Sequence, residues 1–182
     1  MTIELREVIA EANRRLGGDQ LKMSGEIFPG DTAAAIANSR AGIPSAFPML
    51  WGFALGDGRT VINARSETAA QKPMFADGMA QRRCVIPASG YYEWEKRGGM
   101  RIRYAIRSEE GGCSWMAGIY RLEKNCASFV ILTREPAENI AFIHDRMPVL
   151  LPETAIADWL DPVCPSTQVL RQAVLSVAFE AV

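Results

Sequence analysis

Between Val61 and Lys96, polar side chains stand directly after short apolar runs, and this pattern restricts what the chain can fold into. Val61-Ile62 is followed at once by Asn63-Ala64-Arg65-Ser66-Glu67, and Cys84-Val85-Ile86 leads through Pro87 and Gly90 to Tyr91-Tyr92-Glu93-Trp94. A strand buried on both faces has no use for such groups, because burying them unpaired costs roughly 2–7 kcal/mol each. The runs must therefore be short strands whose ends lie exposed in turns or face one another across a cleft. The second arrangement is the productive one. A further piece, Ile143-His144-Asp145-Arg146-Met147-Pro148, supplies the only histidine of the chain.

The rest of the sequence reads as many short strands with helices towards both ends. Leu5, Val8, Ile9, Ala12 and Leu16 fall on one stripe, which predicts an amphipathic helix over Thr2–Leu16. Strands are predicted over Thr32–Asn38, Phe47–Leu55 (broken by Pro48 and Gly52), Thr60–Asn63, Cys84–Ile86 (ending at Pro87), Ser114–Tyr120, Ala127–Thr133 and Val149–Leu151. Tyr91–Lys96 and Arg101–Arg107 form the clearest hairpin, with Gly98-Gly99 supplying the positive φ of its turn. Short helices are predicted over Ala76–Gln81, Pro136–Phe142, Pro152–Leu160 and Ser166–Val174. This pattern points to the α+β class: a curved, barrel-like mixed sheet with flanking helices. At 182 residues the chain is expected to be a single domain, 1–182.

Composition excludes several functions. No apolar run approaches the roughly 18 residues of a membrane span, and no leader is evident, so a soluble, cytoplasmic protein is expected. Cys84, Cys113, Cys126 and Cys164 form no Cys-x-x-Cys pair, which argues against a zinc site; they read as small buried hydrophobes. Nothing resembles a phosphate loop or dinucleotide fingerprint, so neither a nucleotide nor another cofactor is indicated. The net charge of −1 argues against a uniformly basic nucleic-acid binder. Yet Arg59 to Arg107 holds ten Lys/Arg against four Asp/Glu, enough for one basic face unless these are solvated strand surfaces.

Individually, each candidate residue has a plain alternative. His144 titrates near neutrality and suits proton transfer, although a lone histidine is often structural. Glu93, if buried among aromatics, has a raised pKa and can act as a general acid; otherwise it is an outward glutamate of an alternating strand. Arg65 and Arg146 could grip phosphates, or pair with Glu67 and Asp145. Trp51 could be a stacking platform, or core.

Together, Asn-Ala-Arg-Ser-Glu-Thr at 63–68, Arg-Arg-Cys-Val-Ile-Pro-Ala-Ser-Gly-Tyr-Tyr-Glu-Trp at 82–94 and His-Asp-Arg-Met-Pro-Val-Leu-Leu at 144–151 resemble the SRAP family. These are SOS response-associated peptidases, also called abasic site processing proteins, and the likeness runs from about Phe28 to Leu160. The resemblance implies a basic channel for single-stranded DNA carrying an abasic site. It implies catalytic roles for Asn63, Glu93 and His144, with DNA contacts from Trp51, Arg65 and Arg146. It also implies a nucleophilic N-terminal cysteine whose α-amine and thiol trap the abasic sugar as a thiazolidine crosslink and cleave a propeptide where one exists. The expected partner is single-stranded DNA, with the protein a monomer and no membrane involved. One departure stands out: family members begin Met-Cys-Gly-Arg, whereas this sequence begins Met1-Thr2. Either the native start lies upstream, or the protein has lost the crosslinking strand and is a non-catalytic single-stranded DNA binder.

Overall fold

The structure, a computed structural model, describes residues 25–182 apart from 110, 124 and 125, together with Arg14. The helix predicted over Thr2–Leu16 lies, Arg14 excepted, outside the described residues. Thirteen strands follow in chain order among the described residues: β1 (Thr32–Asn38), β2 (Pro44–Trp51), β3 (Phe53–Ala54), β4 (Thr60–Val61), β5 (Asn63–Arg65), β6 (Arg83–Ala88), β7 (Tyr91–Arg97), β8 (Met100–Ser108), β9 (Ser114–Leu122), β10 (Ala127–Arg134), β11 (Met147–Pro148), β12 (Leu150–Leu151) and β13 (Val177–Ala181). Three short helices accompany them: α1 (Pro73–Gln81), α2 (Ile156–Leu160) and α3 (Ser166–Leu170).

Five strands close on themselves in the order β10-β2-β1-β6-β9-β10, a mixed barrel in which β2 and β10 run parallel and the other pairs antiparallel. β5 pairs parallel with β10 beyond the point where β2 leaves it. Alternation along each strand makes two apolar faces. One face carries Val85, Ile119, Val130 and Leu132, and packs against Phe75 and Met79 of α1 and Trp159 and Leu160 of α2. A five-stranded barrel is too narrow to hold a helix, so this helix-covered face is the outside. The other face, with Ala33, Ala35, Ala37, Met49, Cys84 and Phe129, lines the barrel. Small residues suit that tight interior: a side chain at Gly118 would meet Ile86, the Val130 carbonyl oxygen at 3.0 Å and Cys84 Sγ at 3.1 Å.

Polar groups pin α2 to the outer wall. Trp159 Nε1 donates to the Cys84 carbonyl (2.8 Å) and Asn38 Nδ2 to the Leu160 carbonyl (3.0 Å). The guanidinium of buried Arg83 lies over the Trp159 ring and donates to the Asp161 carbonyl.

A second sheet, in the order β13-β8-β7, adds the inner faces of its strands to the barrel-lining cluster through Tyr91, Tyr104, Ile106 and Val177. The β7–β8 hairpin turns at Gly98-Gly99, with φ of 55° and 84° as a two-residue primed turn requires. β13 carried no alternating signal strong enough to be predicted from sequence.

The structure corrects several boundaries. Pro48 and Pro87 do not interrupt their strands: Pro48 is paired with Ala34 and Pro87 with Trp115. β10 joins β2 only at Leu50 and Trp51, and β1 registers with β6 only at Val85, so each proline has a side with no ladder to break. The break in the aromatic run falls at Gly52, whose φ of 121° and closeness to Thr60 leave no room for a side chain. The strand predicted over Thr60–Asn63 divides into β4, which pairs with β3, and β5, which crosses to β10. α1 starts earlier than predicted, with Pro73 in its first turn. Pro136–Phe142 holds only a single 3₁₀ turn, Glu138–Ile140, and the last predicted helix stops at Leu170. No helix among the described residues is long and apolar enough to cross a membrane.

Candidate active site

β10 organises one end of the barrel. Its inner-face residues Phe129, Ile131 and Thr133 are in parallel register with Trp51, Asn63 and Arg65 respectively, and residues paired across parallel strands point to the same side. The polar residues that follow Val61-Ile62 thus emerge on the inner face at the barrel mouth. Trp51 is half-buried; its ring stacks on Phe129 (centroids 6.3 Å apart, 8° between planes) and its Nε1 donates to the Ile62 carbonyl at 3.1 Å. Asn63 is exposed and makes no side-chain hydrogen bond among the described residues. Arg65 is exposed too, with no ion pair among them.

Arg146 ties two of the motifs together. Its Nη2 donates to the Thr133 carbonyl (2.7 Å) and to Glu67 Oε2 (2.8 Å), while the same carbonyl accepts the Ser66 N–H (2.9 Å). The Arg146 guanidinium holds the Glu67 carboxyl below its ordinary range. Glu67 is thus engaged by Arg146 rather than by Arg65, and Asp145 turns to His144, with His144 Nδ1 and Asp145 Oδ1 3.1 Å apart.

Glu93 arrives from the second sheet. Along β7, residues 91, 93 and 95 face inward, whereas Tyr92 and Trp94 face out. Burial pushes the Glu93 carboxyl up from its usual range; the charge of His144 and a backbone hydrogen bond at Trp94 oppose this, and Asp145 adds to it. His144 is therefore close enough to bias the protonation of Glu93. The Tyr91 hydroxyl, two residues back on the same face, is buried without a hydrogen-bond partner among the described residues, and burial followed by the charge of Glu93 pushes its pKa up. The strand partner of Asn63 (Ile131), the neighbour of His144 (Ile143) and the strand partner of Glu93 (Tyr104) all belong to the one barrel-lining cluster. Asn63, Glu93 and His144 thus each adjoin the barrel-lining cluster, and among the described residues no hydrogen bond joins Asn63 to the other two.

Sequence reasoning put Tyr91 in the central stretch and Asp145 beside an arginine but gave neither a role at the site. Alternation along β7 contained the first signal, since Tyr91 shares the face of Glu93. Asp145 carried none beyond adjacency. The cysteines differ more from one another than expected: Cys84 is buried, Cys113 and Cys164 are half-buried and Cys126 is exposed. Burial pushes the thiol of Cys84 far up and that of Cys113 to about 11, which leaves both weak nucleophiles. Among the described residues no group of three or more His, Cys, Asp or Glu side chains is arranged to hold a metal ion.

Comparison with known proteins bears on this arrangement. The chain is 38% identical over 111 residues to the abasic site processing protein YobE of Bacillus subtilis, covering 58% of this chain and 51% of that one. It is 33% identical over 119 residues to the abasic site processing protein YedK of Escherichia coli, covering 62% and 54%. The chain thus spans about half the length of these curated relatives. A crystal structure of a protein from Bacteroides thetaiotaomicron shares the fold, with a TM-score of 0.80 at 21% identity over 100% of this chain and 90% of that one. The family model described as SOS response associated peptidase (SRAP) matches residues 2–181, and the chain belongs to that family.

Proposed function

We propose that this protein binds single-stranded DNA at an abasic site and processes the lesion with Glu93 and His144 as its proton-transfer groups. The observation that carries the reading is the Glu93 carboxyl. It is half-buried beside the barrel-lining cluster, raised by that burial and within the field of His144. A carboxyl of this kind is protonated further towards neutrality than an exposed one, as a general acid must be.

The chemistry follows in order. Ring opening of the abasic sugar exposes an aldehyde at C1′. An amine attacks it, and the carbinolamine loses water to an imine once an acid protonates the departing hydroxyl; Glu93 supplies that proton. His144 takes up and returns the proton of ring opening. Asn63, exposed on the same inner face, hydrogen-bonds the sugar or the attacking group. Arg65, with no ion pair among the described residues, contacts a backbone phosphate, and Arg146 contributes a guanidinium with one nitrogen already engaged. Trp51 offers the edge of its stack with Phe129 to a neighbouring base.

A thiazolidine forms when a thiol on the carbon adjacent to the amine-bearing carbon adds to the imine carbon, its proton passing to nitrogen. Cys84, Cys113, Cys126 and Cys164 are internal to the chain and carry no free α-amine, so none can perform this step. The crosslink therefore requires a cysteine at a free N-terminus.

The test is a denaturing gel shift with single-stranded DNA bearing one abasic site. It uses the chain as given and the chain preceded by a family-like strand beginning Met-Cys-Gly-Arg. A heat-stable adduct with the second and not the first is expected. Salt-sensitive binding with no adduct from either would replace this reading with that of a non-catalytic single-stranded DNA binder.

A further inference from the structure

His144 meets opposing partners at a single nitrogen. Its Nδ1 lies 3.1 Å from the backbone nitrogen of Arg146, a donor, and 3.1 Å from Asp145 Oδ1, an acceptor; the Arg146 carbonyl oxygen, a second acceptor, is 3.3 Å away. One nitrogen cannot serve both kinds of partner in one protonation state. A neutral ring with its proton on Nε2 presents a lone pair at Nδ1 and accepts the Arg146 N–H. A protonated ring presents Nδ1–H instead, and that hydrogen has only the Asp145 carboxylate and the Arg146 carbonyl to meet.

We propose that Asp145 is a positioning residue for His144: it takes the Nδ1–H of the imidazolium, the Arg146 N–H takes the Nδ1 lone pair of the imidazole, and the ring changes charge without changing place. Proton uptake places the incoming proton on Nδ1 and replaces the hydrogen bond from Arg146 N–H with one to Asp145; release reverses the exchange. The device rests on the reading of His144 as the proton carrier of this site.

Arg146 cannot drift away when its N–H is vacated, because its side chain is held by Glu67 and the Thr133 carbonyl. Among the described residues, few charged groups bear on the ring. Asp145 and Arg146 come from its own loop and Glu93 from β7, while Glu67 and Arg134 stand one step further out around Arg146. Of the Asp145 and Glu93 carboxylates, only that of Asp145 makes an ion-pair contact with a ring nitrogen, at 3.1 Å.

Because His144 is the only histidine of the chain, its ring C2–H gives one titrating proton NMR signal from the intact protein, without DNA. Asp145→Asn is expected to lower the midpoint by about half a unit, close to threefold in proton affinity, as suits an exposed pair. Asp145→Glu should recover most of it, and Asp57→Asn, whose carboxylate pairs with Arg59, should leave it unchanged. The nitrogen shifts of the neutral ring should place its proton on Nε2. An unchanged midpoint in Asp145→Asn would overturn the role of Asp145. A neutral ring protonated on Nδ1 would overturn that of the Arg146 N–H. Neither outcome touches the DNA reading, which the gel shift decides on its own.

Discussion

The two faces of strand β7 are made from one run of seven residues and do opposite things with charge. The inward face carries Tyr91, Glu93 and Glu95, where carboxylates lie against the apolar lining of the barrel; Glu95 is only 6% exposed. The outward face carries Tyr92 and Trp94, 41% and 38% exposed, and surrounds them with cations. The Arg103 guanidinium lies 3.7 Å from the centroid of Tyr92 and 5.6 Å from that of Trp94, and Arg101 lies 5.7 Å from Trp94. Inside, burial works against charge and so tunes its chemistry. Outside, charge is solvated and serves packing. Identical residue types would behave differently one position along the strand.

The sharpest test of this contrast is Glu93→Gln, which keeps the shape and removes the titratable proton. Loss of a positioned general acid typically costs about 10²–10⁴ in rate, so adduct formation by the cysteine-bearing chain should fall by that order. The wild-type rate should decline as pH rises through the raised pKa of Glu93, and the variant should lack that limb. Stability should move the other way. A carboxyl whose folded pKa is raised contributes stability below its unfolded pKa of 4.5 and loses it as pH climbs through the folded value. Above the folded value the protein holds an ion that burial disfavours, and there Glu93→Gln should melt at a higher temperature than wild type. A variant both inactive and less stable would show that Glu93 is held by partners as Glu95 is.

Glu95, two residues along, provides the contrast within the inward face. It accepts Tyr104 Oη–H at 3.0 Å and Arg97 Nε–H at 2.6 Å, so its charge is fully engaged. Removing it with Glu95→Ala forfeits two hydrogen bonds to a charged group and should cost about 2 kcal/mol in a denaturant melt. The pH dependence of adduct formation should keep its shape. A shifted acid limb in Glu95→Ala would mean that the two carboxylates act as one coupled unit.

What could be read in the sequence follows the same division. Alternation announced the β7–β8 hairpin, because Gly98-Gly99 and the run Arg101-Ile102-Arg103-Tyr104-Ala105-Ile106-Arg107 are local signals. The α+β class and barrel-like sheet were legible from short strands punctuated by turns. The tolerance of Pro48 and Pro87 was not, since it depends on which neighbouring strand pairs where. The divided strand at Ile62 was not either, because β5 pairs with β10, nearly seventy residues away, and nothing local marks it. At the site, Glu93 and His144 were legible as residue types with suitable pKa ranges. The engagement of Glu67 by Arg146, and not by Arg65, was invisible because Glu67 lies in the turn after β5, where strand alternation no longer applies, and its partner comes from 79 residues away.

The smallest expected effect belongs to the outward face. Trp94→Ala deletes one aromatic between two guanidiniums at a partly exposed position, where each cation–π contact is worth roughly 0.5–1 kcal/mol. The loss in stability should be about 1 kcal/mol. Arg103 would still lie over Tyr92 and pair with Glu26, so the effect should not spread. The acid limb of the adduct reaction should stay where wild type has it, because Trp94 touches Glu93 only through the backbone N–H that follows it. If Trp94→Ala moved that limb as far as a change on the inward face does, the two faces would not be independent. The hairpin would then have to be treated as one electrostatic body.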